Sequence, residues 1–257
     1  MNTDNTVQTL HITLSVPSKA RLNQASGSLL HGFIMEQIDT DYADYLHSQE
    51  VRPYSQSISL DAKNNLLHWR ISALNSQASE ELLLPLLGME PHVYLKRKRL
   101  DLEVVSRRMD DAMSYKELVR KYYLPENQTG NVRDTVKFKF LTSTGFRSNG
   151  ENLIFPDAYL IFNSLLRRFN AFSGIDSFAQ KGLAMSLMQE VHIDDYDLHY
   201  SPFSVEGRKI PAFKGSYSLK ISKDEAARRL ICMLGEYASY AGVGIKTSLG
   251  MGAVKVD

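Results

Sequence analysis

A single cysteine, Cys232, stands among 257 residues, so no internal disulfide can staple the fold and a reducing compartment suits it. Charge of one sign is missing as well. Lys and Arg number 30 against 29 Asp and Glu, which excludes binding to nucleic acid through a global basic field. No apolar run approaches the ~20 residues of a membrane span, and the polar start has no signal-peptide core. A cytoplasmic protein with no membrane partner is therefore expected. Seven histidines and one cysteine form neither a CxxC pair nor an HExxH motif, and no Gly-x-Ser-x-Gly elbow occurs. No metal and no cofactor is expected. Asp194-Asp195-Tyr196-Asp197 is acidic, but adjacent strand residues point to opposite faces, so it reads as a solvated edge.

What is present is ordinary for a globular chain: 43% hydrophobic and 23% charged residues. Leu10, Ile12, Leu14 and Val16 alternate with polar residues as a half-buried strand. A helix is predicted over 25–38, a second over 42–47 behind the capping group Asp39-Thr40-Asp41, and strands over 55–60 and 66–74. A helix over 80–87 ended by Gly88 and one long strand over 92–105 complete the split βαβ order of a ferredoxin-like unit. A connecting helix over 114–123 and a linker over 125–131 follow. The order then repeats. A strand over 136–140 precedes a helix that Pro156 opens and Phe172 closes, and another helix is expected over 177–188. Strands around 192–200 and 213–221 flank Glu206-Gly207, and the last helix covers 223–240. The predicted class is α+β, two tandem ferredoxin-like (RRM-like) domains: 1–111, a connector over 112–131, and 132–257. The first carries 11 Lys and Arg against 14 Asp and Glu, whereas residues 112–257 carry 19 against 15.

The segment closing the chain is the most distinctive. Gly242, Gly244, Gly250 and Gly252 form two Gly-x-Gly pairs around a spacer that carries Lys246, Thr247 and Ser248. Such a loop is either a tight turn after a helix or a concavity of backbone N–H groups for a polyanion, with Lys246 adding a cation. It follows a helix, so the dinucleotide fingerprint does not apply. His47 closes a helix; it either caps the dipole or transfers protons near neutrality. His31 and Arg52 lie close enough in sequence to join it. Lys96 and Lys98, in a basic run through Arg99, track a phosphate backbone or mark a solvated edge. Arg147, in the loop from Gly145 to Gly150, makes a phosphate contact or decorates a hairpin turn. Arg107-Arg108 and Arg167-Arg168 are weaker candidates of the same kind.

The ending Gly242-Val243-Gly244-Ile245-Lys246-Thr247-Ser248-Leu249-Gly250-Met251-Gly252 resembles the C-terminal glycine-rich loop of CRISPR-associated repeat-processing endoribonucleases, the Cas-six family of the RAMP superfamily. Leu30-His31-Gly32-Phe33-Ile34 with Tyr45-Leu46-His47 resembles its helix and loop bearing the active-site histidine. Thr144-Gly145-Phe146-Arg147-Ser148, Phe155-Pro156 and Pro211-Ala212-Phe213-Lys214-Gly215 add to the likeness. The resemblance implies metal-independent cleavage of precursor CRISPR RNA within each repeat. In that chemistry a 2′-OH attacks the adjacent phosphate and leaves 2′,3′-cyclic phosphate and 5′-OH ends. It implies His47 as the family histidine, Arg52 where a lysine is common, and Lys214 among the RNA contacts. Met35 stands where some members carry a tyrosine, and His31 is the expected second acid–base partner. The implied partner is CRISPR repeat RNA, with effector-complex subunits beside it, for a monomer or homodimer. A non-catalytic crRNA-binding subunit is the rival reading, and a small-phosphate-binding protein a third.

Overall fold

Apolar residues at every second position make β1 (Thr6–Ser15), whose Leu10, Ile12 and Leu14 point into one core. In the computed structural model, which describes residues 4–123, 130, 132–205 and 207–257, β1 is the centre of the first sheet. The linker expected over 125–131 falls largely outside the described residues, as does Glu206.

A 3-10 turn (Gln24–Ser26), capped by Asn23, leads into α1 (Gly27–Gln37). Asp39 caps α2 (Thr40–Ser48) by accepting the Asp41 amide at 2.8 Å. Strands β2 (Tyr54–Asp61) and β3 (Leu66–Ala73) form an antiparallel hairpin. A helical run over 76–88 follows: α3 (Ser76–Ala78), a π turn (Ser79–Leu83) and α4 (Leu84–Gly88). Pro85 has no N–H for the carbonyl four residues earlier, so the ladder is loosened where a regular helix was expected.

The long strand predicted over 92–105 is instead a hairpin of β4 (His92–Leu95) and β5 (Leu100–Met109). Lys96–Lys98 form its 3-10 turn, and Arg99 closes it at φ 48°. Lys96 and Lys98 therefore do not share a strand face with Leu100 and Leu102. Alternating lysine and arginine imitates strand periodicity, and the turn uses no glycine, asparagine or proline that would betray it. The sheet order is β2-β3-β1-β5-β4, with the short β6 (Met113–Ser114) also on β1. With β5 as fourth strand, this is the ferredoxin-like order, extended by β4 at the edge.

Helix α5 (Tyr115–Tyr123) turns Tyr115, Leu118 and Tyr122 into the second core. The second sheet is built from β7 (Thr135–Thr144), β10 (Val191–Tyr200), β13 (Phe213–Ile221) and β14 (Val254–Val256), in the order β10-β13-β7-β14. That is the same arrangement again. Two small hairpins project from it: β8 (Phe146–Ser148) with β9 (Glu151–Leu153), and β11 (Phe203–Val205) with β12 (Arg208–Ile210). Asp157, rather than Pro156, begins α6 (Ala158–Phe172) by accepting the Leu160 amide. The helix expected over 177–188 is a 3-10 turn (Asp176–Phe178) followed by α7 (Leu183–Gln189). Asp224 caps α8 (Glu225–Ala241), which buries ten residues and delivers the glycine loop. Cys232 is buried on α8, and no described helix is long and apolar enough to cross a membrane.

The loop folds back on the sheet. Val243 N–H donates to Gly252 O at 2.8 Å and Gly252 N–H to Ser143 O at 3.1 Å. Gly252 has φ 71°, and a Cβ there would collide with the Val243 carbonyl. Gly32, exposed on α1, has open space instead. Gly252→Ala is therefore expected to destabilise the chain by at least about 2 kcal/mol, whereas Gly32→Ala gains ~0.5–1 kcal/mol from helix propensity. Thermal or urea unfolding of the pair checks this; an unchanged midpoint for Gly252→Ala would contradict the packing.

Candidate active site at the junction of the two sheets

Three of the sequence-predicted residues come together where the first unit meets the glycine loop. His31 sits on α1, His47 on the last turn of α2, and Arg52 on the extended segment entering β2. The rings of His31 and His47 lie 6.4 Å apart, centre to centre, in an edge-on arrangement. His47 is exposed, while His31 is half-buried. Arg52 donates through Nε to the Leu46 carbonyl at 3.2 Å and through Nη1 to Ser248 Oγ at 3.2 Å. The same Nη1 lies 3.3 Å from His31 Nε2. A guanidinium has only donors, so Nε2 accepts. The neutral ring then carries its hydrogen on Nδ1, which donates to Tyr54 Oη at 2.6 Å. Burial, the Arg52 charge and the nearby His47 lower the His31 pKa from the ordinary 6.5 to about 4. At neutral pH His31 is an acceptor.

Tyr54 and Gln56 went unnoticed in the sequence. Tyr54 is fully buried, and burial raises its pKa well above the usual range, so it stays protonated. Gln56 donates to Ser248 O at 2.6 Å and to Gly27 O at 3.1 Å, while its Oε1 accepts the Trp69 indole N–H at 2.7 Å. Gly27 matters for a related reason: a Cβ there would stand 2.6 Å from the Leu249 carbonyl. The one legible signal was period-2 alternation, which puts Tyr54, Gln56 and Ile58 on one strand face; polar residues on such a face invite a search for their partners.

The glycine loop is less open than expected. The amides of Gly242, Val243, Gly244, Ile245, Leu249, Gly250, Met251 and Gly252 all donate within the protein. Gly244 donates to Ser164 Oγ, and a Cβ there would collide with the Gly145 carbonyl. The glycines thus serve close backbone approach more than an amide cradle. Arg168, a weak candidate for nucleic-acid contact, is half-buried beneath the loop and lines the cavity beside it. It donates to Gly244 O at 2.9 Å, Thr247 Oγ1 at 3.2 Å and Ser164 Oγ at 2.7 Å. Burial lowers its pKa to about 10, which leaves it charged at neutral pH. Ser248, at 6% exposure, faces the first unit. Lys246 is the exposed cation of the loop, in the left-handed region at φ 54°.

A cavity of about 740 Å³ opens beside this cluster, between the loop, α6 and the segment after α2. Arg52, Arg147, Arg167, Lys246 and Ser248 are in its walls, together with Glu50, which pairs with Arg167 at 2.6 Å. His31 stands behind Arg52. Arg147 belongs to the β8–β9 hairpin, where its Nε donates to Gly150 O at 3.3 Å.

Other candidates lie elsewhere. Lys96 pairs with Glu36 at 2.9 Å, and Lys98 donates to Arg21 O at 2.5 Å, both on the β4–β5 hairpin outside the cavity walls. Lys214 sits on β13 opposite His199. Arg107 holds the Leu87 and Glu90 carbonyls, and Arg108 pairs with Asp110. Met35 packs against the first core. Among the described residues no group of three or more His, Cys, Asp or Glu is placed to hold a metal ion.

The His31 environment has a pH signature. Its folded pKa, about 4, lies below the unfolded 6.5, so the unfolded chain takes up the proton first. The stability that neutral His31 contributes is complete above pH 6.5, falls as pH drops, and is gone below about pH 4. The groups facing it are Arg52, His47 and Tyr54. Ring-proton NMR is expected to show His31 titrating near pH 4, and His31→Gln to flatten the fall in stability between pH 6.5 and 4. A midpoint near 6.5 would contradict this environment.

Comparison with known proteins agrees with the geometry. Residues 138–254 match the family model of the CRISPR-associated endoribonuclease Cas6. A Cas6 endoribonuclease of Streptococcus thermophilus is 31% identical over 227 residues, 88% of this chain and 89% of that protein. One from Mycobacterium tuberculosis is 30% identical over 252 residues, 96% of this chain and 77% of its own length. A solved Cas6 product complex superimposes with a TM-score of 0.80 at 21% identity, covering 98% of this chain and 99% of that one, so the fold of tandem ferredoxin-like units is shared. The resemblance carried by the glycine loop and the helix bearing His31 is borne out: the chain belongs to the Cas6 family of CRISPR-associated endoribonucleases.

Proposed function

We propose that this chain cleaves precursor CRISPR RNA within its repeats, without a metal, by attack of a ribose 2′-OH on the adjacent phosphate. The observation that carries the reading is the meeting of His31, His47 and Arg52 with the glycine loop beside one cation-lined cavity. The new bond joins the 2′ oxygen to phosphorus, and the bond from phosphorus to the 5′ oxygen breaks. One proton must leave the 2′-OH and one must reach the 5′ oxygen, giving 2′,3′-cyclic phosphate and 5′-OH ends. His31, held neutral, receives the first proton. Exposed His47, at the helix C-terminus, delivers the second. Arg52 supplies fixed positive charge to the phosphorane; as the phosphate draws its Nη1, His31 Nε2 is released. Lys246, Arg147 and Arg167 hold flanking phosphates, and the glycines keep Lys246 where it can do so. Lys214, Lys96 and Lys98 would contact RNA only along a longer path beyond the cavity.

The support comes from chemistry and from relatives. Solved relatives include a Cas6 product complex and a Cas6 substrate-mimic complex. The roles need side chains alone, so EDTA is expected to leave the rate unchanged. Proton transfer by one positioned group contributes ~10²–10⁴ in rate. His47→Ala should therefore lose at least ~100-fold in cleavage while binding repeat RNA with wild-type affinity. Labelled repeat RNA, single-turnover rates and end-group analysis test this. Wild-type cleavage by His47→Ala would remove that residue from the mechanism. An RNA that is shifted but left intact by the wild-type chain would favour a non-catalytic crRNA-binding subunit.

The acid limb of the rate profile carries the His31 role. In kcat/KM, which reports the free protein, it is expected near pH 4 and should move upward in Arg52→Gln, because the neighbouring charge helps to lower the His31 pKa. A limb that stays in place would separate His31 from the chemistry.

A further inference from the structure

Two residues outside the reacting set are built into the histidine site from different sides. Tyr54, on β2, offers its oxygen to His31 Nδ1 at 2.6 Å and is wholly enclosed. Ser248 comes from the glycine loop, 196 residues away in sequence from Arg52, and accepts the Arg52 Nη1 bond at 3.2 Å. Its carbonyl is held separately by Gln56 at 2.6 Å. The hydroxyl and the carbonyl of Ser248 are thus both engaged by the first unit.

We propose that Tyr54 and Ser248 are positioning residues: Tyr54 fixes the His31 tautomer with the hydrogen on Nδ1, and Ser248 fixes the Arg52 guanidinium against Nε2. The argument is one of donors and acceptors. The Arg52 donor requires Nε2 to accept, and the Nδ1–H that this leaves needs an acceptor in an enclosed site. With the hydrogen on Nε2, that nitrogen faces the Arg52 donor and can neither accept from it nor take a proton from a 2′-OH. The Tyr54 oxygen is that acceptor: without it the buried N–H goes unmet, and the form with a basic Nε2 that Arg52 favours is weakened. Ser248 acts one bond further out. It shares Nη1 with His31, so losing the hydroxyl leaves the guanidinium held by its Nε bond to Leu46 O and the longer 3.3 Å contact to His31 Nε2, and loosens its aim. The loop contributes to the reaction by steadying a first-unit cation, beyond whatever it does for RNA. The catalytic meaning rests on the proposed ribonuclease reading; the tautomer does not.

The test uses the full chain in two arms. In the RNA-free protein, ¹⁵N-detected histidine spectra at pH 7 report the tautomer. Wild type is expected to show His31 protonated on Nδ1 alone, and Tyr54→Phe a mixture. In the cleavage arm, Tyr54→Phe and Ser248→Ala are expected to lower kcat about 10- to 100-fold with KM within twofold. Gln56→Met, which releases the Ser248 carbonyl but keeps its hydroxyl, serves as the structural control. It should lower Tm while leaving the His31 spectrum as in wild type. A His31 spectrum unchanged by Tyr54→Phe overturns the tautomer half. An unchanged kcat in Ser248→Ala, or a loss confined to KM, overturns the Ser248 half. If wild-type protein cuts no RNA, the ribonuclease reading fails while the spectra still decide whether Tyr54 sets the tautomer.

Discussion

Everything at the site depends on how closely two stretches of backbone approach. The Leu249 carbonyl lies so near Gly27 that a methyl group on α1 would stand 2.6 Å from it. That approach brings the 3-10 turn Thr247–Leu249 down onto β2, where Gln56 and Arg52 take hold of Ser248. A small apolar cluster of Phe203, Ala212 and Met251, with Ala25 and Ile245 against it, seats the loop from the other side. Fully burying a side chain of this size contributes roughly 1.5–3 kcal/mol. The hydrogen bonds add direction: an unmet Trp69 N–H or Gln56 amide would cost ~1–3 kcal/mol in that interior. The site is therefore a property of the docked pair of units, since neither holds His31, Arg52 and Ser248 alone.

Electrostatics follows from the same geometry. Arg168 lies half-buried under the loop, in the cavity wall, and meets carbonyl and hydroxyl oxygens. Those bonds offset part of the desolvation of its charge, and the remainder is positive potential at that wall. Arg52 adds a second cation at the rim, with Arg147, Arg167 and Lys246 around it. Glu50 partly cancels Arg167, although an ion pair this exposed is worth at most ~1 kcal/mol. A chain with net charge +1 thus concentrates cations on one side of one junction. A polyanion need not see a basic protein to be drawn there.

How much of this could be read from the sequence divides along physical lines. Period-2 and period-3.6 patterns carried both sheets and most helices, because apolar residues must face a core whichever partner covers them. The glycine loop and its neighbour His47 were legible because glycine and histidine are chosen for rare backbone and proton properties. Tyr54, Gln56, Gly27 and Arg168 were not. Each works through at least one partner far along the chain, and no local pattern announces such a partner. The hairpin at Lys96–Arg99 was hidden differently: Arg99 adopts a left-handed conformation that its residue type does not advertise. Ser248 was legible as a site residue, yet its facing partner changed what it does.

In the proposed mechanism the two histidines have different tasks, and their surroundings differ to match. Both rings sit within 6.4 Å of each other, so the field from a bound phosphate reaches both. They differ in what else surrounds them. His31 is enclosed with Arg52 at one nitrogen and Tyr54 at the other, so its charged form is unfavourable and its basic nitrogen is defined. His47 ends α2 in solvent. Bringing a phosphate beside Arg52 relieves the penalty on protonating His31, because the added negative charge cancels the cation that suppressed it. Proton affinity at His31 thus rises only when substrate is in place. On the proposed mechanism, such a site keeps its base neutral in free protein and strengthens it as the phosphorane charge develops, the stage at which stabilisation raises the rate.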